Sequence, residues 1–249
     1  MAGRGSRFAN AGYKMPKPLI DICGHPMIEY VTENIRPACG HRFIYICQRE
    51  HLEKYSLGDT LRAMSPGCEI ITIDYVTEGA ACTVLLAQAI IDNDDPLMIA
   101  NSDQFVDTDI NDYLGCMQGL DGLIMTMPAA DPKWSFIKYD ENGLVTLVRE
   151  KEVISDQATV GIYNYARGCD FVKYAHQMIE KNIRVNNEFY VAPVYNEMIA
   201  SGLKIGYRDV KDAMYGLGVP EDLEYFIKSE MPEKCSGLWT REAARKLLR

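Results

Sequence analysis

Apolar positions along this chain recur with two periods. Met27, Ile28, Val31 and Ile35 fall on one face of a 3.6-residue helix, with Pro26 where a helix can begin and Gly40 beyond its end. Short apolar runs of strand length alternate with such segments, at Phe43 to Cys47, Glu69 to Ile73 and Pro96 to Ala100. Between them, Glu50 to about Met64 reads as a polar helix closed by Ser65, Pro66 and Gly67, and Ala80 to Ile91 reads as another. This alternation predicts an α/β fold: a mostly parallel, Rossmann-like sheet with helices on both faces and ligands at the carboxyl ends of the strands.

After a helix expected over Asn111 to Gly119 the pattern changes. Leu123 to Met127, Phe136 to Tyr139, Leu144 to Val148 and Thr159 to Ala166 read as strands, the second and third joined by the turn Asp140 to Gly143. Helices are expected at Cys169 to Lys181 and Phe189 to Ala200, then a strand over Lys204 to Asp209 and a helix opened by Pro220. This later half predicts a smaller mixed-sheet portion that could fold over the first as a substrate-binding wall. The expected organisation is one domain over 1–231, with a nucleotide-binding half (1–120) and an acceptor-binding half (121–231). A basic tail follows over 232–249, ending in a helix from Arg241 to Leu248 that is either a solvated face or a docking element.

Composition narrows the partners. With 26 basic against 35 acidic residues the net charge is −9, so no global positive field draws the chain to nucleic acid or an anionic membrane. A phosphate site must therefore be locally basic. No apolar run of about 18 residues and no apolar leader occurs, which points to a cytoplasmic protein. The 8 cysteines form no C-x-x-C pair and several sit in apolar runs, which suits reduced, buried thiols. The 4 histidines lack metal-ligand spacing and no Gly-x-Ser-x-Gly elbow is present, so nothing supports a side-chain nucleophile. Oligomeric state is not encoded legibly, although a homo-oligomer is compatible.

The first eighteen residues concentrate phosphate chemistry. Gly3 and Gly5 allow a sharp turn that brings backbone N–H groups close to an anion, Arg4 and Arg7 add guanidinium forks, and Lys17 adds a mobile charge. Neither a dinucleotide-binding G-x-G-x-x-G nor a P-loop is present. Elsewhere, Asp103 follows an apolar strand and is placed either to hold Mg2+ against phosphate oxygens or to cap a loop. Glu78 and Gly79 precede a helix, where a planar base can lie on the backbone or a helix simply starts. Glu150 and Lys151 end a strand, suited to sugar hydroxyls and a phosphate or to a plain surface pair, and Gly161 would let a ring approach. Asn187 and Glu188 either contact a ligand or cap the following helix.

Followed by Lys17-Pro18 and by Gly24, Pro26, Met27 and Ile28, the opening loop resembles the signature of the sugar-phosphate nucleotidylyltransferases, G-x-G-x-R-(F/L), then K-P, then G-x-P-(M/L)-I. The resemblance continues through Asn101, Ser102 and Asp103, Glu150-Lys151, the strand with Gly161, Glu188-Phe189, and Gly218 to Leu223. It implies a GT-A-like nucleotidyltransferase fold and transfer of a nucleotidyl group from a nucleoside triphosphate to a sugar or polyol phosphate, with release of pyrophosphate. The product would be an activated sugar for capsule or other surface polysaccharide.

The same resemblance implies roles. Arg7, with Arg4 and the loop of Ala2, Gly3, Gly5 and Ser6, would hold the outer phosphates, and Lys17 the α-phosphate; Asp103 would bind Mg2+ beside Asn101 and Ser102. Glu78 and Gly79 would meet the base, while Glu150, Lys151, Gly161, Asn187 and Glu188 would bind the acceptor, with Lys151 on its phosphate. Three departures stand out: Glu152 replaces a proline, Gly216 replaces a second metal-binding aspartate, and the chain begins at the loop itself, so either a strand precedes Met1 in the natural protein or the fold is compromised. Asp212 is a candidate replacement ligand if it shares a strand face with Gly216. The alternatives are a glycosyltransferase using a nucleotide sugar and a non-catalytic nucleotide-sugar-binding protein.

Overall fold

The computed structural model describes Met1 and residues 6–235. The loop residues Ala2, Gly3, Arg4 and Gly5, the side chain of Ser6 and the tail helix expected from Arg241 to Leu248 lie outside the described residues. Elements follow in the order α1 (Ser6–Asn10), a 3-10 turn (Lys17–Leu19), β1 (Asp21–Ile22), β2 (His25–Pro26), α2 (Met27–Asn34), β3 (Ile44–Gln48), α3 (Arg49–Tyr55), α4 (Leu57–Met64) and β4 (Glu69–Ile73). Next come α5 (Ala80–Leu85), α6 (Gln88–Ile91), β5 (Leu97–Ala100), β6 (Gln104–Val106), α7 (Ile110–Gly115), β7 (Gly122–Pro128), β8 (Ser135–Tyr139), β9 (Val145–Glu150) and β10 (Gln157–Tyr165). The chain continues through α8 (Gly168–Glu180), α9 (Val194–Ala200), β11 (Ile205–Asp209), β12 (Met214–Gly216) and α10 (Pro220–Lys228).

These elements form two compact units, each drawing on both halves of the chain. Of the described residues, one unit comprises Met1, Pro37–Asn101 and Thr108–Ala213; the other comprises 6–36, Ser102–Asp107 and 214–235.

The larger unit is built on β10, buried at all nine of its positions. A strand with no solvent on either face must satisfy every backbone donor and acceptor from neighbours. One edge of β10 pairs antiparallel with β7 along most of its length. The other is shared, with β8 meeting Ala158 and β5 meeting Ile162 to Tyr165. β9 extends the sheet from β8, and β11 pairs parallel with β7. Helices α8 and α9 bury Phe171, Ala175, Met178, Tyr195 and Met198 in the same core, where the rings of Tyr165 and Tyr195 stack at 4.7 Å. The Tyr195 hydroxyl donates to the Asn164 carbonyl at 2.8 Å.

The α/β layering is as expected, but the parallel share of the sheet is smaller. Only β3 with β4 and β7 with β11 run parallel among the described ladders. The reason is local: β3 and β4 form their own two-stranded sheet, and no described strand pairs with both β3 and β5. Two predicted helices are also broken. The polar one splits at Ser56, which adopts a left-handed φ of 51°, and the other splits between α5 and α6. The helix expected from Phe189 starts only at Val194, after Pro193.

The smaller unit holds the short antiparallel pair β6 and β12, which apolar periodicity did not reveal because each has three residues. An aromatic cluster supports it: the Phe226 ring of α10 lies 5.6 Å from Tyr30, 5.3 Å from Phe105 and 5.7 Å from Tyr215. Asn34 clamps β6 as well, its side chain bonded to both the N–H and C=O of Val106. Because Phe226 is fully buried among three other rings, Phe226→Ala is expected to cost about 3–5 kcal/mol of stability. Urea unfolding followed by circular dichroism measures it; a loss under about 1 kcal/mol would show that the cluster does not support β6.

Candidate functional site

Within the smaller unit, Lys17 and Asp103 come together. Lys17 opens a 3-10 turn stiffened by Pro18, and Asp103 immediately precedes β6. The Lys17 ammonium donates to Asp103 Oδ2 at 2.6 Å, reaches the Gly218 carbonyl at 3.4 Å and lies 5.7 Å from the centre of the Phe8 ring. Phe8 is itself buried edge-on against Tyr13, so the wall under the lysine is fixed. The Asp103 carbonyl accepts from the Leu217 N–H at 2.8 Å, which ties this carboxylate to the segment ending at Gly218. A Cβ at Gly218 would sit 3.3 Å from Asp103 Oδ2, so glycine keeps the carboxylate open.

A divalent cation is implied by the family resemblance, and Asp103 suits one kind of site. Among the described residues no three metal-ligating side chains cluster, so an all-protein cage is absent. A single part-exposed carboxylate matches Mg2+, which keeps waters and takes phosphate oxygens alongside one or two carboxylates.

Asp212 does not share a strand face with Gly216. It is exposed in a turn closed by Ala213 N–H on the Val210 carbonyl, with Lys211 in a left-handed conformation. The space above Gly216 is instead met by Asp222 of α10, whose Oδ2 lies 2.9 Å from where a Cβ would stand. Arg7 is exposed in α1.

In the larger unit the residues expected to bind base and acceptor are brought together. Asn186 and Asn187 both have positive φ, and Val185 and Glu188 exchange N–H···O=C bonds at 3.1 and 2.9 Å. This is the geometry of a two-residue hairpin with a primed turn. Neither Asn187 nor Glu188 caps a helix. Just beyond, the Phe189 N–H donates to the Glu78 carbonyl at 2.8 Å, and the Phe189 carbonyl accepts from the Ala81 N–H at 3.0 Å. Gly79 passes underneath with φ 133°, where a Cβ would lie 2.3 Å from the Phe189 carbonyl oxygen. Only glycine fits there. Arg184 completes the clasp, its guanidinium 4.1 Å from the centre of the Phe189 ring and 2.5 Å from the Glu78 carboxylate.

Glu150 ends β9 directly opposite Ser135 on β8, and accepts a hydrogen bond from its hydroxyl. It is buried, and burial pushes its carboxyl above the usual carboxylate range. Lys151, next in the chain, is left-handed at φ 56°, and its ammonium donates to the Tyr190 hydroxyl at 2.5 Å. Gly161 has φ 82° and lies where the register of β10 against β7 shifts; its carbonyl accepts from the Asn101 N–H at 2.9 Å. Ser135, Arg184, Phe189 and Tyr190 are the residues that pattern reading missed. The Asn186-Asn187 pair was an available signal for a tight hairpin just before the expected helix, where a cap was the alternative reading.

Comparison with known proteins decides the family. The nucleotidyl transferase family model matches residues 1–204. The chain belongs to that family. This member is 24% identical to the bifunctional protein GlmU of Aquifex aeolicus (strain VF5), over 88% of this chain and 49% of that protein. It is 26% identical to the mannose-1-phosphate guanylyltransferase catalytic subunit beta of Danio rerio, over 67% of this chain and 48% of that protein. The chain thus spans about half the length of these curated relatives. A nucleoside-diphosphate-sugar pyrophosphorylase from Vibrio cholerae RC9 matches in structure with a TM-score of 0.81 and 25% identity, covering 92% of this chain and 98% of that one. A UDP-glucose pyrophosphorylase complexed with UDP-glucose shares the fold, with a TM-score of 0.73 and 19% identity over 93% and 96%.

The buried Glu150 has a measurable signature. A carboxyl whose folded pKa exceeds its unfolded value binds more protons when folded, so its contribution to stability falls as pH rises from the unfolded pKa through the folded one. Glu150→Gln, neutral at every pH, is expected to lose less stability than the parent protein between about pH 4.5 and pH 8. Urea midpoints across that range report it, and parallel curves for the two proteins would mean that Glu150 is ionised without cost.

Proposed function

We propose that this chain joins a nucleoside triphosphate to a sugar or polyol phosphate, releasing pyrophosphate and giving an activated nucleotide sugar. Family membership supports nucleotidyl transfer, and the pairing of Lys17 with Asp103 beside Gly218 is the observation that carries the assignment to this chain. A lysine and a carboxylate at 2.6 Å, backed by an open glycine, offer one group for a phosphate oxygen and one for a cation. Lys17 would contact the α-phosphate, and Arg7, with Arg4 and the loop from Ala2 to Ser6, the outer phosphates. Mg2+, when bound at Asp103, supplies neutralisation of phosphate charge.

The acceptor's phosphate oxygen is already anionic and needs no base. Catalysis on this reading is alignment of that oxygen with the α-phosphorus and electrostatic relief of the leaving pyrophosphate. Glu78 and Gly79 would set the base against the backbone, and Glu150, Gly161, Asn187 and Glu188 would take sugar hydroxyls while Lys151 holds the acceptor phosphate. We infer capsule or other surface polysaccharide synthesis, in the cytoplasm, as the use of such a product. Among the described residues no helix is long and apolar enough to cross a membrane.

One observation favours a second reading, a protein that binds nucleotide sugars without turnover: position 216 carries no carboxylate of its own. A matrix of triphosphates against phosphorylated sugars and polyols, read by pyrophosphate release, separates the two. Tight binding with no release across the whole matrix would establish the silent protein; sugar transfer without pyrophosphate exchange would establish a glycosyltransferase. On the proposed mechanism, Lys17→Ala and Asp103→Asn each keep the circular dichroism of the parent and lower turnover by roughly a hundredfold or more. Near-normal turnover in both variants removes the pair from the chemistry.

A further inference from the structure

We propose that Tyr190 is the residue that positions Lys151 for the acceptor phosphate, a reading that rests on Lys151 holding that phosphate. An exposed lysine is a poor anchor on its own: its ammonium rides on a flexible four-carbon stem, and most exposed pairs of such groups contribute little. Lys151 is held in three ways. Its backbone is left-handed at φ 56°, with its N–H on the Trp134 carbonyl at 3.0 Å. Its ammonium donates to the Tyr190 hydroxyl at 2.5 Å. The same charge lies 4.7 Å from the centre of the Tyr190 ring, within range of attraction to the aromatic face.

Tyr190 is a firm base for this grip. It follows Phe189, whose N–H and C=O are both tied to the turn at Glu78 to Ala81, and it is partly buried. Burial raises its phenol above the ordinary range, with the Lys151 ammonium opposing the shift and the Glu188 carboxylate adding to it. With the phenol oxygen accepting from Lys151, one of three ammonium protons is used and two remain for a ligand. Glu150 and Glu188 both act electrostatically on Lys151, which disfavours a second anionic group beside it. Tyr190 therefore fixes a single cationic point in acidic surroundings, which suits a phosphomonoester whose remaining surface donates hydroxyl hydrogens.

The experiment uses the full chain and four variants: Tyr190→Phe, Tyr190→Leu, Lys151→Met and the double variant that combines Tyr190→Phe with Lys151→Met. Glucose 1-phosphate, mannose 1-phosphate and glycerol 3-phosphate are titrated by calorimetry, with ATP, CTP, GTP, UTP and dTTP as the second series and thermal midpoints as a check on folding. Tyr190→Phe is expected to weaken the best-bound phosphomonoester about tenfold, as for a lost hydrogen bond to a charged group. Tyr190→Leu weakens it further, and neither variant alters the best triphosphate's Kd. Adding Tyr190→Phe to Lys151→Met produces no additional loss, because the tyrosine acts through the lysine. If Lys151→Met weakens the phosphomonoester and both Tyr190 variants leave it unchanged, the proposal fails while the acceptor role of Lys151 survives. Equal weakening of both ligand series assigns Tyr190 a merely structural role and overturns the proposal. If the parent binds none of the three phosphomonoesters, or Lys151→Met binds them normally, the reading of Lys151 falls and the proposal with it.

Discussion

The larger unit depends on one constraint: a nine-residue strand buried on both faces has no water to bond with. β10 meets it by giving one edge to β7 and dividing the other between β8 and β5. The register of β10 against β7 shifts between Thr159 and Tyr163, and Gly161 at φ 82° lies in that bulge. The carbonyl of Gly161 is then taken by Asn101 at the end of β5, while β8 places Ser135 opposite Glu150 on β9. The candidate acceptor residues are thus consequences of how one strand's backbone is satisfied.

The smaller unit solves a different problem with less material. β6 and β12 have three residues each, too few to be stable by pairing alone. Aromatic packing on Phe226 and the two-sided clamp of Asn34 supply what the ladder lacks. Asp103 precedes the clamped strand, and Lys17 is braced against Phe8, so both charges stand on fixed ground. An ion pair of this kind, about one-fifth and one-third exposed, contributes little to folding, and its value lies in the ligands that can divide it.

What the sequence revealed and what it hid follow from the range of the forces involved. The runs at Phe43 to Cys47, Glu69 to Ile73 and Leu123 to Met127 were legible because burial imposes a local apolar pattern; each strand appears within about two residues of its expected place. Lys17 and Asp103 were named from motif spacing, and the structure brings them into contact. The break at Ser56 and the late start of α9 were hidden by periodicity, because a left-handed residue or an Asn-Asn hairpin interrupts a helix without altering its apolar spacing. Tyr190 was hidden for the same reason: its aromatic ring fits a helical stripe equally well. The clasp of Phe189 on Gly79 joins residues over a hundred positions apart, and no one-dimensional pattern reports such a contact.

Local strain recurs in the candidate acceptor segments. Among the described residues, non-glycine positions with positive φ are Cys23, Ser56, Lys151, Asn182, Asn186, Asn187 and Lys211. Asparagine adopts this conformation at small cost, so Asn186 and Asn187 need no explanation beyond the turn they make. Lys151 has a long side chain and no such excuse, and a residue held there costs on the order of 1–3 kcal/mol unless its surroundings enforce it. Two contacts enforce it here, the Trp134 carbonyl on its N–H and the Tyr190 hydroxyl on its ammonium. The left-handed backbone and the grip of Tyr190 thus act on the same residue, and the strain persists because both contacts hold it.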